Sequence, residues 1–252
     1  MKNQKKNSLQ YEKSEKEQLA MFNQPNAEQL VADYINEGLK LYYAAVMGLT
    51  KDVPEEVRVQ LEHVYALSFG FDNPPEISVT LSKEERKEIT CGDYLCEPAQ
   101  RMIVDKFPPE VSKDLLLKYG RAWPLGEMVQ LRMIQYFLED DGLKVLGEIR
   151  NPCDSAILQA IELYSKEAMR EFLFDNAACL SDVVLKKAME VFESEQARDI
   201  IIEHIEVNTL SDEIQKEITE KLNLLDARII LMKAFLFFGT KLSKESVEFL
   251  EK

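Results

Sequence analysis

Behind Leu180 come Val184, Ala188, Val191 and Phe192, and behind Leu210 come Ile214, Ile218 and Leu222. Both sets follow the i, i+4, i+8 spacing of one buried helical stripe. A second stripe follows each after a break of about four residues: Ala197, Ile200, Ile201 and Ile205 in one case, Ala227, Ile230, Leu231 and Phe235 in the other. Two stripes joined by so short a link predict an antiparallel helical hairpin, helix A followed by helix B. Leu-Ser-Asp at 180–182 and at 210–212 and Leu-Ser-Lys at 242–244 mark three starts, because a Ser oxygen can accept from the free amides of a first helical turn. Helices are predicted to begin near Ser181, Ser211 and Ser243, with B helices over about 195–207 and 225–238. Phe192, Ile201, Ile205, Leu222, Ile230 and Leu231 hold the inward phases and are expected to be buried.

The two hairpins share an anchor. A large apolar residue closes helix A, a small or apolar residue follows five positions later, and apolar residues lie three, four and eight beyond that. Tyr164 with Met169, Phe172, Leu173 and Ala177 obeys it, as does Phe22 with Ala27, Leu30, Val31 and Ile35, while Leu138 with Leu143, Leu146 and Gly147 fits in part. A hairpin of this kind cannot bury its own apolar face, so neighbours must stack. The expected fold is all-α, a right-handed stack of antiparallel helix pairs forming a short α-solenoid. Residues 1–17 read as a polar tail, 18–48 as an N-terminal helical unit, 49–110 as an irregular insert and 111–252 as the repeat array. The insert assignment rests on Pro54, Pro74, Pro75, Pro98, Pro108 and Pro109, and on the alternating segment from Glu76 to Leu81. The helix from Ser243 is expected to cap the array, with Leu242, Val247 and Leu250 covering the apolar run from Ile229 to Phe238. Self-association through that run is the alternative.

Composition supports the helical assignment, since glycine and proline number only nine each in 252 residues. The formal net charge of −14 sets a repulsive field against any phosphate backbone and makes nucleic acid an unfavourable partner. The first twenty residues hold no apolar run, so the mature chain is expected to begin where the gene does. The segments from Leu39 to Leu49 and from Ile229 to Phe238 fall short of the roughly 20 residues of a membrane span. Cysteines at 91, 96, 153 and 179 are too sparse for a disulfide scaffold, which points to a reducing cytoplasm.

Residues 14 to 37 (SEKEQLAMFNQPNAEQLVADYINE) look most like one such unit. The chain resembles short α-α repeat proteins of the HEAT or armadillo kind, and more closely uncharacterised bacterial proteins carrying degenerate repeats. It departs from HEAT repeats in its shorter period and in lacking the proline characteristic of their helix A. The resemblance implies a fold and a bias toward macromolecular binding, and carries over no catalytic residue.

Candidate chemistry is sparse. Cys91 and Cys96 are spaced at the outer edge of zinc-ligand pairs, with no second pair to complete a tetrahedron, and read as free thiols. Cys153 and Cys179 stand at what read as equivalent repeat starts and are assigned to junction packing. His63 and His204 lie in no nucleophile motif, and His204 reads as a boundary position. Glu139, Asp140 and Asp141 read as a solvated turn between helices A and B. One feature survives alignment: a basic residue directly after the helix B anchor, at Lys144, Arg170, Arg198 and Arg228, with Arg101 as a fifth member. Stacking would set these cations along one edge, either as a partner-binding edge or as internal salt bridges to the abundant carboxylates. The expected function is non-enzymatic binding of a protein or peptide, without a metal or other cofactor. Nucleic-acid association through the basic edge is the alternative.

Overall fold

A computed structural model describes residues 15–48, 54–68, 72, 74–75, 94–149 and 152–251. The described residues form fourteen α-helices and no strand. The chain divides into two compact units, Met1–Pro152 and Cys153–Lys252. No described helix is long and apolar enough to cross a membrane.

Unit 1 holds α1 (Glu15–Met21), α2 (Ala27–Met47), α3 (Glu55–Ser68), α4 (Glu97–Lys106), α5 (Pro109–Gly120), α6 (Glu127–Tyr136) and α7 (Glu139–Glu148). Its A helices pack in the order α1, α4, α6 and its B helices in the order α2, α5, α7, with α3 laid against α2. Tyr94 inserts between α2 and the end of α5. Its ring stacks on Tyr34 at 4.6 Å and on Trp123 at 4.8 Å, over a space that Gly38 leaves free.

Unit 2 holds α8 (Asp154–Leu163), α9 (Lys166–Asp175), a 3₁₀ turn (Ala177–Cys179), α10 (Asp182–Val191), α11 (Ser194–Ile205), α12 (Asp212–Lys221), α13 (Leu224–Phe238) and α14 (Lys244–Glu251). Here α8, α10, α12 and α14 pack in one layer and α9, α11 and α13 in the other. Ser181, Ser211 and Ser243 each accept from the amide three residues on, as their N-cap assignment requires. The six residues expected to be buried are buried.

The A-to-B link is two residues, shorter than the expected four. Phe107, Phe137, Tyr164, Phe192 and Leu222 each follow a ten-residue A helix in extended conformation, with φ of −99° to −85° and ψ of 153° to 167°. One extended residue and one N-cap turn the chain back, and the large side chain drops into the seam between the two helices.

Two registers differ from the sequence reading. Phe107, not Pro-rich coil, closes a helix A: Ser112, Leu115, Leu116 and Gly120 follow at the anchor spacing, all buried. The array therefore starts well before residue 111, and α4 and α5 stack directly on the N-terminal pair. Pro109 does not break α5 because it sits in the first turn, where an amide is unsatisfied in any case. The second difference is a slip of one residue. Phe137 is the anchor, 5% exposed, whereas Leu138 is an N-cap at 80%. A one-residue shift rotates the assigned face by about 100°, so Gly142, Val145 and Leu146 point inward. Glu139, Asp140 and Asp141 form the first turn of α7 rather than a loop, where carboxylates favour the helix dipole.

Repeat contacts recur at two places. Gly120, thirteen residues after Phe107, lies under Ile149 of the next repeat, and a Cβ there would come within 2.5 Å of Ile149 Cγ2. In the A layer, buried glutamines bridge successive helices. Gln100 Nε2 donates to Leu95 O at 2.8 Å while its Oε1 accepts from Gly126 N at 2.9 Å. Gln18 Oε1 accepts from Cys96 N, and Gln215 Oε1 accepts from Ser243 N, both at 2.8 Å. Each rung ties a helix start to its predecessor by giving a main-chain amide at that start a partner.

The C-terminal cap differs from expectation. α14 packs on α12, continuing the A layer, with Ser246 fully buried. Val247 is exposed, and so are Met232, Phe235, Leu236 and Phe237 of the apolar run it was expected to cover.

Candidate functional site

The basic series is dispersed over different positions. Arg101 lies exposed on α4, in the A layer, and so is not on the edge formed by B helices. Lys144 lies exposed on α7, two residues after Gly142, which follows Phe137 at the five-residue spacing, and so is one residue out of the series. Arg170, Arg198 and Arg228 occupy equivalent positions on α9, α11 and α13, all in unit 2, and their surroundings differ sharply.

Arg198 is committed to carboxylates. Its Nη1 donates to Asp226 Oδ1 of the next B helix at 2.8 Å, and its Nε and Nη2 donate to Asp199 Oδ1 at 2.9 and 2.8 Å. Asp226 is 3% exposed and sits at the third position of α13. It also accepts from Ser194 Oγ at 2.7 Å and from Asn223 Nδ2 at 2.6 Å, while its amide donates to Asn223 Oδ1 at 2.9 Å. Burial pushes the Asp226 carboxyl up, but the hydrogen bonds from Ser194, Arg198 and Asn223, with the Arg198 charge, outweigh it and hold it below the ordinary value. Hydrogen bonding to Asp199, against the opposing cost of burial and with further help from Asp226, raises the Arg198 guanidinium above its ordinary value.

Arg170, one repeat earlier, is exposed, and Gln196 stands where Asp226 stands in the next repeat. Arg228, one repeat later, is half-buried. Its Nε is buried without a hydrogen-bond partner, and among the described residues it makes no ion pair. Other cross-repeat pairs do exist, including Lys113 with Asp141 at 2.6 Å, Arg132 with Asp105 and Lys221 with Glu190 at 2.8 Å, and Arg121 with Glu148. Salt bridging between neighbouring repeats thus recurs among the described residues, and neither Arg170 nor Arg228 takes part in it.

The same alignment separates the apolar positions of α11 and α13. Ile205 is 1% exposed, covered by its neighbours, whereas its counterpart Phe235 is 56% exposed. Leu224 and Met232, the counterparts of half-buried Ser194 and Ile202, are also exposed. Leu224, Arg228, Met232 and Phe235 fall on one stripe of α13, the stripe that in α11 faces the following repeat. Sequence reasoning missed this because it placed Phe235 in the same buried phase as Ile205, whereas no described B helix follows α13.

The remaining candidates are structural or lie elsewhere. His204 is buried, and its Nδ1 lies 2.7 Å from Ala177 O of the preceding repeat, so it fastens α11 to the 3₁₀ turn after α9 instead of marking a boundary. His63 is exposed. Cys96 is the N-cap residue of α4, and Cys91 lies outside the described residues. Cys153 occupies an N-cap, equivalent to Ser181, so Cys179, exposed in the 3₁₀ turn, is not its counterpart. The Glu76–Leu81 segment and residues 1–14 also lie outside the described residues. Among the described residues no group of three or more His, Cys, Asp or Glu side chains is placed to hold a metal ion. Set against known protein families, characterised proteins and solved structures, the chain matches none.

Proposed function

We propose that the chain is a non-enzymatic interaction module of the α-α repeat class, of HEAT or armadillo kind, acting on a protein or peptide in the cytoplasm. One observation carries this. On α13 the side chains of Leu225, Met232, Phe235, Leu236 and Phe237 stand exposed along a single helix, an apolar surface of the kind that marks association sites. Nucleic-acid binding through the basic series has weaker support, since Arg198 is occupied by carboxylates and the chain carries −14 net charge. Affinity capture of the tagged full chain, with and without chemical cross-linking, tests the proposal. A stoichiometric protein partner whose cross-links map to unit 2 is the expected result. Absence of any partner, together with turnover of a small molecule by the purified chain, would overturn it.

A further inference from the structure

We infer that the open stripe of α13 is a docking site for an amphipathic helix of a partner protein that carries a carboxylate in its first turn. This deepens the interaction-module reading and rests on it. The argument is one of equivalence within unit 2. α13 docks on α11 by presenting Asp226 to Arg198 and Ser194, and Ile205 of α11 is buried. α13 repeats the receiving half of that arrangement, with Arg228 in the place of Arg198 and Phe235 in the place of Ile205. No described helix supplies the other half, because α14 continues only the A layer. Arg228 is half-buried and makes no ion pair among the described residues, on the same stripe as exposed Met232 and Phe235, and a guanidinium so placed selects an anionic group over a neutral one. The required ligand is then a B-type helix: an acid at its third position, then small or aliphatic residues one, four and five further on, as Ala227, Ile230 and Leu231 follow Asp226. A second copy of the chain joined by a two-fold axis does not fit as well, because α13 carries one carboxylate, and that one is buried against Arg198.

The test uses the full chain and a labelled synthetic peptide of residues 193–207 with Gln196→Asp, locked as a helix by a side-chain lactam. Ala197, Ile200 and Ile201 then stand behind the new acid in the required phase. The control peptide retains Gln196. Fluorescence anisotropy should show the acidic peptide binding roughly fivefold tighter or more than the control, a difference of about 1 kcal/mol. Arg228→Gln in the chain should make the two affinities equal, and Phe235→Ser should weaken both. Equal affinities on the wild-type chain, a preference that survives Arg228→Gln, or binding of neither peptide would each overturn the inference. So would a dimer, seen by sedimentation equilibrium, that Phe235→Ser dissociates and Arg228→Gln leaves intact. A partner captured by the doubly substituted chain as well as by the wild type removes this site while the module reading stands. Loss of every partner from the wild type removes the module reading itself.

Discussion

Replacing Asp226 by Asn keeps the shape of the side chain and removes its charge. In the wild type three donors converge on this carboxylate, from Ser194, Asn223 and Arg198. The amide leaves at least one of them facing an NH₂ group and weakens the rest from charge-assisted to neutral bonds. Hydrogen bonds to a charged group contribute about 1.5–3 kcal/mol, and breaking one side of a fully buried ion pair costs about 3–5 kcal/mol. The upper range does not apply, because Arg198 keeps Asp199 and Glu195 and is one-fifth exposed, so no buried charge is stranded. The expected loss is about 2–3 kcal/mol at pH 7. It should be read by urea unfolding followed by circular dichroism, with hydrogen exchange at the amides of α11 and α13. The pH dependence gives a sharper check. The folded carboxyl titrates below its unfolded value of about 3.9, so the unfolded chain binds more protons between the two values and stability there rises with pH. The gap between wild type and Asp226→Asn should therefore hold constant from pH 7 to about pH 5 and close as pH falls below about 4. A deficit under about 0.5 kcal/mol at pH 7, or one unchanged down to pH 2, would refute the account.

Ile201→Ala, which empties a fully buried site between α11 and its neighbours, should cost about 2–5 kcal/mol in the same unfolding assay. Gln215→Met should leave Leu210 O, Lys241 O and Ser243 N without their partner, so amides of α14 should exchange faster while those of α11 hold. Gly120→Ala should destabilise by about 1–3 kcal/mol through collision with Ile149, and adding Ile149→Ala should cost less than the sum of the two single changes.

The sequence made the C-terminal repeats plain because Leu, Ile and Phe occupy their inward phases and Ser opens their helices. Two repeats in unit 1 were harder to see for the same physical reason. At Ser112 and Gly142 the anchor position holds a small residue that apolar periodicity does not register, and Ser112 is made tolerable by donating to Ile103 O at 2.7 Å. Adjacent Phe137 and Leu138 offered two phases of equal hydrophobicity, and only their burial in the fold separates them. The buried glutamines were equally hidden, although Leu-x-x-x-x-Gln at 95–100, 125–130 and 210–215 was there to be noticed. Of the basic series, alignment found Arg198 and Arg228 at equivalent places. That one is satisfied and the other is not depends on Asp226, a residue one repeat away from Arg198.

The glutamine rungs also bear on how such a chain can vary over time. Gln100 and Gln215 fasten neighbouring helices through main-chain atoms: the carbonyls of Leu95, Leu210 and Lys241 and the amides of Gly126 and Ser243. Every residue type supplies that carbonyl, and all but proline supply that amide. A glutamine in one repeat thus places almost no demand on the identity of the residue it grips in the next. Successive copies are free to drift apart in sequence while the attachment between them persists, and two copies from distant places in the array could be exchanged without re-matching side chains at these rungs.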